Sequence, residues 1–340
     1  MNTPLLILVL VVVAALAFDY INGFHDAANA VATVVSTGVL PLRTAIVLAA
    51  LLNFAGALTG TAVAATIGKG LIDPSAVTQV VVLSALLGAT LWNLLTWYFG
   101  IPSSSSHALV GGLVGSALAH AGGRSIRSDG LIKVIESLVV SPLVGFALAF
   151  VLMVAIVWAC RGRSPSRLSQ AFRRLQIASA GFMALSHGSN DAQKTMGIIA
   201  MSLALYSGES QAGAHFHVPL WVMVACAVAM GTGTMAGGVR IIKTMGTKII
   251  ELKPVDGFAA ETSAAVTILA ASHLGMPVST THVLSGAIMG VGSSRRVSAV
   301  RWGVTVRIMW AWVLTIPVSA AVAWACYQLL HLAIRSDPPV

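Results

Sequence analysis

The chain has 340 residues, 57% of them hydrophobic and 9% charged, against about 25% charged in an ordinary soluble domain. Mean hydropathy is +0.88, and apolar runs recur along the whole length with no long polar block between them, which excludes a soluble enzyme or a nucleic-acid binder. The net charge of +9 reads instead as loop charge that orients membrane spans. Cys160, Cys226 and Cys326 sit in apolar surroundings without CxxC spacing, so they read as packing residues, not as a disulfide framework or thiolate metal site.

From the N-terminus, Pro4 to Phe18 has the apolar content of a signal-peptide core. No basic residue precedes it, however, and it runs on into Asp19-Tyr20-Ile21-Asn22-Gly23 without a cleavage site. It is expected to stay in the mature protein as the first part of a spanning helix that is interrupted near Asn22-Gly23 and resumes over residues 24–39. Further spans are expected over residues 43–66, 78–99, 102–120, 131–159, 177–205, 218–240, 257–275, 277–292 and 303–334. The fold expected is an all-α polytopic membrane protein.

Internal echoes organise these spans. Ile101-Pro102-Ser103-Ser104-Ser105-Ser106-His107-Ala108-Leu109 returns as Met276-Pro277-Val278-Ser279-Thr280-Thr281-His282-Val283-Leu284. Asn22, His25, Asp26 and Asn29 return as His187, Asn190, Asp191 and Lys194, and Thr66-Ile67-Gly68 returns as Thr244-Met245-Gly246. Three echoes in one order indicate two homologous halves, residues 1–160 and 177–340, joined by a basic cytoplasmic linker over 161–176. With an odd number of crossings per half, the repeats are inverted and both termini lie outside. That arrangement places Arg43, Arg161, Arg163, Arg167, Arg173, Arg174, Arg240, Lys243, Lys248, Lys253, Arg295, Arg296 and Arg301 inside. Lys69, Arg124, Arg127, Lys133 and Arg335 fall outside, thirteen against five with Lys194 and Arg307 not assigned to either side, as the positive-inside rule requires. The architecture expected is therefore two inverted-topology repeats with broken and re-entrant helices.

Ionisable groups inside spans cost about 2.5 to 3.5 kcal/mol each and mark functional sites by default. Asn22, His25, Asp26 and Asn29 fall at i, i+3, i+4 and i+7 and share one helical face, and His187, Asn190, Asp191 and Lys194 repeat the spacing. Such stripes can also simply bond helix to helix. A carboxylate recurring in both halves fits better with a cation or proton site on a pseudo-two-fold axis, with Asp26 and Asp191 as ligands. Pro102 and Pro277 suit the first turn of a helix, and the hydroxyl runs Ser103 to Ser106 and Ser279 to Thr281 follow. A helix N-terminus with free N–H groups and several hydroxyls is an anion site, and two of them could hold a tetrahedral oxyanion. His107 and His282 could close these runs by hydrogen bonding. Glu261 is a candidate coupling group, although an acid at a helix start is also ordinary dipole chemistry. His215, His217 and His273 have no trustworthy metal spacing. The glycines of 111–115 and 231–238 lack a P-loop ending and read as close helix packing.

Gly23-Phe24-His25-Asp26-Ala27-Ala28-Asn29 and Gly188-Ser189-Asn190-Asp191-Ala192-Gln193-Lys194 resemble the paired GxNDxxN signatures of the PiT family of inorganic phosphate transporters. Pro102 to His107 and Pro277 to His282 are similar to that family's paired P-x-S-S/T-S/T-H segments. The resemblance implies a secondary symporter of inorganic phosphate in the cytoplasmic (inner) membrane, a homodimer with no resident cofactor and no enzymatic activity. It implies cation ligands at Asp26, Asn29 and Asp191 and phosphate-binding hydroxyls at Ser104, Ser105, Ser106, Ser279, Thr280 and Thr281. His25 and Lys194 depart from the pattern, each standing where the family usually has Asn, and the first-half counterpart of Glu261 is Asn53. A fixed ammonium at Lys194 could replace a bound sodium beside Asp191, which favours proton over sodium coupling. Sulfate as the substrate of the same fold, a metal-phosphate complex as cargo, and an intramembrane hydrolase built on Ser103 to Ser106, His107 and Asp26 are the alternatives.

Overall fold

The computed structural model describes residues 3–70, 72–73, 76–208 and 217–335. His215 and the side chains of Lys69 and Arg335 lie outside the described residues. The described residues fold into α-helices. The first group is α1 (Thr3–Ser36), α2 (Leu42–Ala57), α3 (Ala62–Gly70), α4 (Gln79–Phe99), α5 (Ser105–Ala121) and α6 (Ser128–Ala159). The second is α7 (Pro165–Ser207), α8 (Leu220–Ala236), α9 (Val239–Lys243), α10 (Pro254–His273), α11 (Thr280–Arg295) and α12 (Trp302–Arg335). The element order of the first group recurs in the second. Each group has a long helix, then a bent pair, α2 with α3 at 71° and α8 with α9 at 64°. The echoed Thr66-Ile67-Gly68 and Thr244-Met245-Gly246 lie in the second arms of these two pairs, the latter in a π-helical turn.

The interruption expected at Asn22-Gly23 is absent, because α1 runs unbroken through it. Gly23 is a contact residue instead. A Cβ there would sit 2.5 Å from the Met230 carbonyl oxygen, and one on Gly233 would sit 2.1 Å from that of Tyr20, so the two glycines let α1 and α8 touch backbone to backbone. The true breaks fall at 58–61 and 237–238. The joining segment is mostly helical, since α7 begins at Pro165. Pro102 and Pro277 are not first-turn residues. Helices α5 and α11 start at Ser105 and Thr280, capped by Ser104 and Ser279, whose side chains accept from His107 N and His282 N.

Among the described residues, four helices could each cross a membrane by length and composition, or six if each bent pair is one span. Helices α5 and α11, of 17 and 16 residues, reach about 25 Å at the helical rise, short of a hydrocarbon core of about 30 Å. Non-helical segments, 101–104 and 276–279, lead into them. The two groups interlock: α1 packs on α8, α2 on α7, α5 on α12 and α6 on α11. Glycines make the crossings close, as the glycine-rich stretches suggested. A Cβ on Gly115 would meet the Ala320 carbonyl oxygen at 2.0 Å, and one on Gly286 that of Pro142 at 2.3 Å. At the α2–α7 crossing, a Cβ on Gly188 would lie 2.1 Å from the Asn53 carbonyl oxygen. Gly188→Ala is expected to lose about 1 to 3 kcal/mol through overpacking against backbone. A lower melting temperature in detergent would register it, and an unchanged one would contradict the close crossing.

Candidate functional site

The polar stripe of α1 and that of α7 face each other at the centre of the helix array, and the capped N-termini of α5 and α11 close on them. All of these side chains are buried. Asp26 Oδ1 accepts from His25 Nδ1 at 2.8 Å and from Thr281 Oγ1 at 3.3 Å, and Oδ2 accepts from Ser105 Oγ at 3.1 Å. Asp191 Oδ1 accepts from the Lys194 ammonium, and Oδ2 accepts from Thr280 Oγ1 at 3.1 Å. Asn29 Nδ2 donates to Thr281 Oγ1 at 2.9 Å and to Thr280 Oγ1 at 3.2 Å. Each carboxylate thus holds hydroxyls from a helix N-terminus, and the first carboxylate draws on both halves of the chain.

Lys194 is the group with the largest consequence. Its ammonium has three donors, and three acceptors surround it: Asp191 Oδ1, Ser106 Oγ at 2.5 Å and the Val278 carbonyl at 3.0 Å. Nothing of its hydrogen-bonding capacity is left over. A fixed positive charge therefore occupies the lobe beside Asp191, while the lobe beside Asp26 has no charged amine.

His187 joins the centre by a chain of defined polarity. Thr234 Oγ1 donates to the Met230 carbonyl, so it accepts from Asn53 Nδ2 at 2.9 Å; Asn53 Oδ1 then accepts from His187 Nδ1 at 3.0 Å. This leaves His187 Nε2 facing Asp191 Oδ2 at 3.1 Å, close enough for an ion pair but without hydrogen-bond alignment. Two lone-pair atoms at that separation repel unless a proton or cation sits with them. One ligand atom from each of Asp26, His187 and Asp191 lies within 4.8 Å of the other two, a spacing that would suit a cation.

Several expectations change at the next layer. Ser104 and Ser279 act as caps, which leaves Ser105, Ser106, Thr280 and Thr281 turned to the charged groups. His107 and His282 pack at a tilt of 39°, ring centroids 4.4 Å apart, and His282 stacks on Trp312 at 3.9 Å; among the described residues neither ring makes a hydrogen bond that would close the hydroxyl runs. Asn190 points away from Asp26, donating to Ser272 Oγ at 2.8 Å. Glu261 lies apart from the centre in a cage of its own, accepting from Thr33, Gln176 and Ser179. Sequence reasoning missed that cage and Thr96, and it read Ser103 only as one of the hydroxyl run. Ser103 donates to Thr96 Oγ1, which lies 3.0 Å from His25 Nε2, so the pair orients the imidazole on Asp26.

Residues 22–323 match the sequence profile of the phosphate transporter family. A probable low-affinity inorganic phosphate transporter of Rhizobium meliloti (strain 1021) is 51% identical over 322 residues, 94% of this chain and 96% of that protein. Another of Bacillus subtilis (strain 168) is 47% identical over 334 residues, 98% of this chain and 99% of that one. A solved structure described as the sodium-dependent phosphate transporter superposes with a TM-score of 0.88 at 27% identity, covering 96% of this chain and 99% of its own.

Proposed function

Because the chain belongs to the phosphate transporter family, a family of transport proteins and not of hydrolases, we propose that it is a symporter carrying inorganic phosphate across the cytoplasmic membrane with protons as the coupling ion. The observation that carries this reading is the convergence of two helix N-termini and two carboxylates on one buried centre. Ser105, Ser106, Thr280 and Thr281, with the free N–H groups of their helix turns, are donors for phosphate oxygens. They give up the carboxylates to bind it. Asp26 and Asp191 hold the coupling charge, Asn29 positions both threonines, and His25 orients Asp26.

Proton coupling is favoured by two features. Lys194 already fills the lobe where a sodium ion would neutralise Asp191, and the His187 Nε2 to Asp191 approach is stabilised by one added proton. Glu261, outside the centre, is a second coupling group in this reading. Phosphate is favoured over sulfate because a protonated phosphate oxygen can donate to Asp26, whereas sulfate has no proton to give. Asp26, His187 and Asp191 could also chelate the ion of a metal-phosphate cargo; uptake unaffected by a chelator would set that variant aside.

The proposal includes a homodimer of inverted repeats, residues 1–160 and 177–340, with both termini outside. Contacts between segments of one assigned side support the grouping of those segments by side, while the positive-inside count alone sets which side is the cytoplasm. Arg173 donates to the Gly38 carbonyl at 2.8 Å and Arg301 to that of Thr247 at 3.0 Å, all at loops assigned to the inside. Asp73 N donates to the Ser125 carbonyl at 2.8 Å, both at loops assigned to the outside. In proteoliposomes, labelled phosphate is expected to accumulate under an inward proton gradient alone and not under a sodium gradient alone. Equal uptake under the two gradients overturns proton coupling, and uptake blocked by sulfate as strongly as by arsenate overturns phosphate selectivity.

A further inference from the structure

Asp19 extends the polar face of α1 one heptad before Asp26. Asp19, Asn22, Asp26, Asn29 and Thr33 follow one another at alternating steps of three and four residues, so they form one line along the helix. Seven residues of helix span about 10.5 Å, which sets Asp19 and Thr33 at similar distances on either side of Asp26. The two ends differ in chemistry. Thr33 donates to Glu261, whose carboxylate is fully caged by donors. Asp19 is 0% exposed, and neither of its carboxylate oxygens has a hydrogen-bond partner; Asn22 Oδ1 and Thr195 Oγ1 are buried and unpartnered as well.

The Thr195 hydroxyl is the one donor among these groups, and a single hydroxyl cannot serve both Asp19 oxygens and Asn22 Oδ1. The groups that face Asp19 from the helices packed on α1 are Thr195, Asp191 and Lys194 of α7 and the Cys226 thiol of α8. Helix α4, also packed on α1, carries no acidic, basic or histidine side chain. Lys194 is the one cation in this set, and its three donors are committed elsewhere. An ionised carboxylate with no counter-charge and at most one hydroxyl to serve its two oxygens is strongly unfavourable in such a place. One proton removes the charge and supplies the missing donor, for which Asn22 Oδ1 and Thr195 Oγ1 are the acceptors at hand.

We propose that Asp19, with Asn22 and Thr195, is a further proton-binding site of the transport cycle, separate from both the Asp26–Asp191 centre and Glu261. The proposal rests on the symport reading. It adds one proton to each transported phosphate, bound as Asp19 carboxylate plus H⁺ giving the carboxylic acid, with no other bond made or broken.

Asp19→Asn keeps the shape of the protonated form and removes its titration. For the full chain in proteoliposomes, exchange of labelled for unlabelled phosphate at equal pH on both sides is expected to stay within about twofold of wild type. The accumulation ratio under a proton gradient of one pH unit is expected to fall about tenfold, the factor contributed by one coupled proton. Asp19→Glu should restore it. An unchanged accumulation ratio overturns the proposal, as does loss of exchange in parallel with accumulation in correctly inserted protein. Recovery by a sodium gradient overturns the proton assignment. Infrared difference spectra across a pH titration give an answer independent of transport: wild type should show a protonated-carboxyl band that Asp19→Asn lacks, and identical spectra would refute the site. If wild type moves no phosphate under either gradient, the symport reading fails, and the infrared result alone decides whether Asp19 takes up a proton.

Discussion

Asp26→Asn and Asp191→Asn are each expected to abolish gradient-driven phosphate uptake while leaving the protein inserted and monodisperse in detergent. Asn has the size of Asp and keeps an oxygen to accept from Ser105 or Thr280, so packing at the centre survives. What it removes is one negative charge from a buried cluster whose other charges are fixed. In the Asp191 variant the Lys194 ammonium loses its counter-ion inside the bilayer. In the Asp26 variant the lobe without an amine loses its attraction for a cation. Leaving a charge uncompensated at membrane depth costs about 2.5 to 3.5 kcal/mol, which is a factor of about one hundred in the occupancy of the transporting state. Uptake of labelled phosphate under a proton gradient measures it. Wild-type uptake by either variant would mean that the stripes only bond helix to helix.

The fold was legible where chemistry repeats and opaque where backbones merely touch. The paired hydroxyl runs and paired stripes located the centre, because buried polar residues at matching spacings have few explanations in an apolar chain. Lys194 was readable as a cation stand-in from its place in the second signature, and the structure adds that all three of its donors are used. Gly23 misled, since a glycine inside a helix signals a break or a close neighbour with the same letter, and only the position of Gly233 on another helix decides between them. Ser104 and Ser279 misled for a related reason: a run of hydroxyls does not reveal which member becomes the cap. The Glu261 cage could not be anticipated, because Thr33, Gln176 and Ser179 converge from two helices far apart in sequence. Asp19 could have been found by carrying the stripe one heptad upstream of Asp26; what singles it out, the lack of any partner for its oxygens, is visible only in three dimensions.

Lys194 yields the sharpest separation of coupling ions. Lys194→Met deletes the ammonium but keeps a chain of similar length, leaving Asp191 to Thr280 and His187 alone. Breaking one side of a buried ion pair costs about 3 to 5 kcal/mol, so this variant should melt well below wild type in detergent, and adding Asp191→Asn should recover most of the difference without recovering uptake. Lys194→Asn makes a different demand. It withdraws the ammonium and sets an amide oxygen two bonds nearer the α7 backbone, at the edge of a space lined by Asp191 Oδ1, Ser106 Oγ and the Val278 carbonyl, the three acceptors that now surround the ammonium. Four oxygens of that kind are hard ligands suited to a small cation. A ligand that binds only the folded state raises stability with its concentration. The melting temperature of Lys194→Asn should therefore rise with added sodium, and not with choline at equal ionic strength, while wild type stays flat. Its phosphate uptake should come to require a sodium gradient. A wild type whose melting already rises with sodium would show that Lys194 leaves room for the ion. A Lys194→Asn variant indifferent to sodium in both measurements would show that the ammonium serves the Asp191 charge alone and that the choice of coupling ion is made elsewhere, with Asp26 and His187 the groups left to make it.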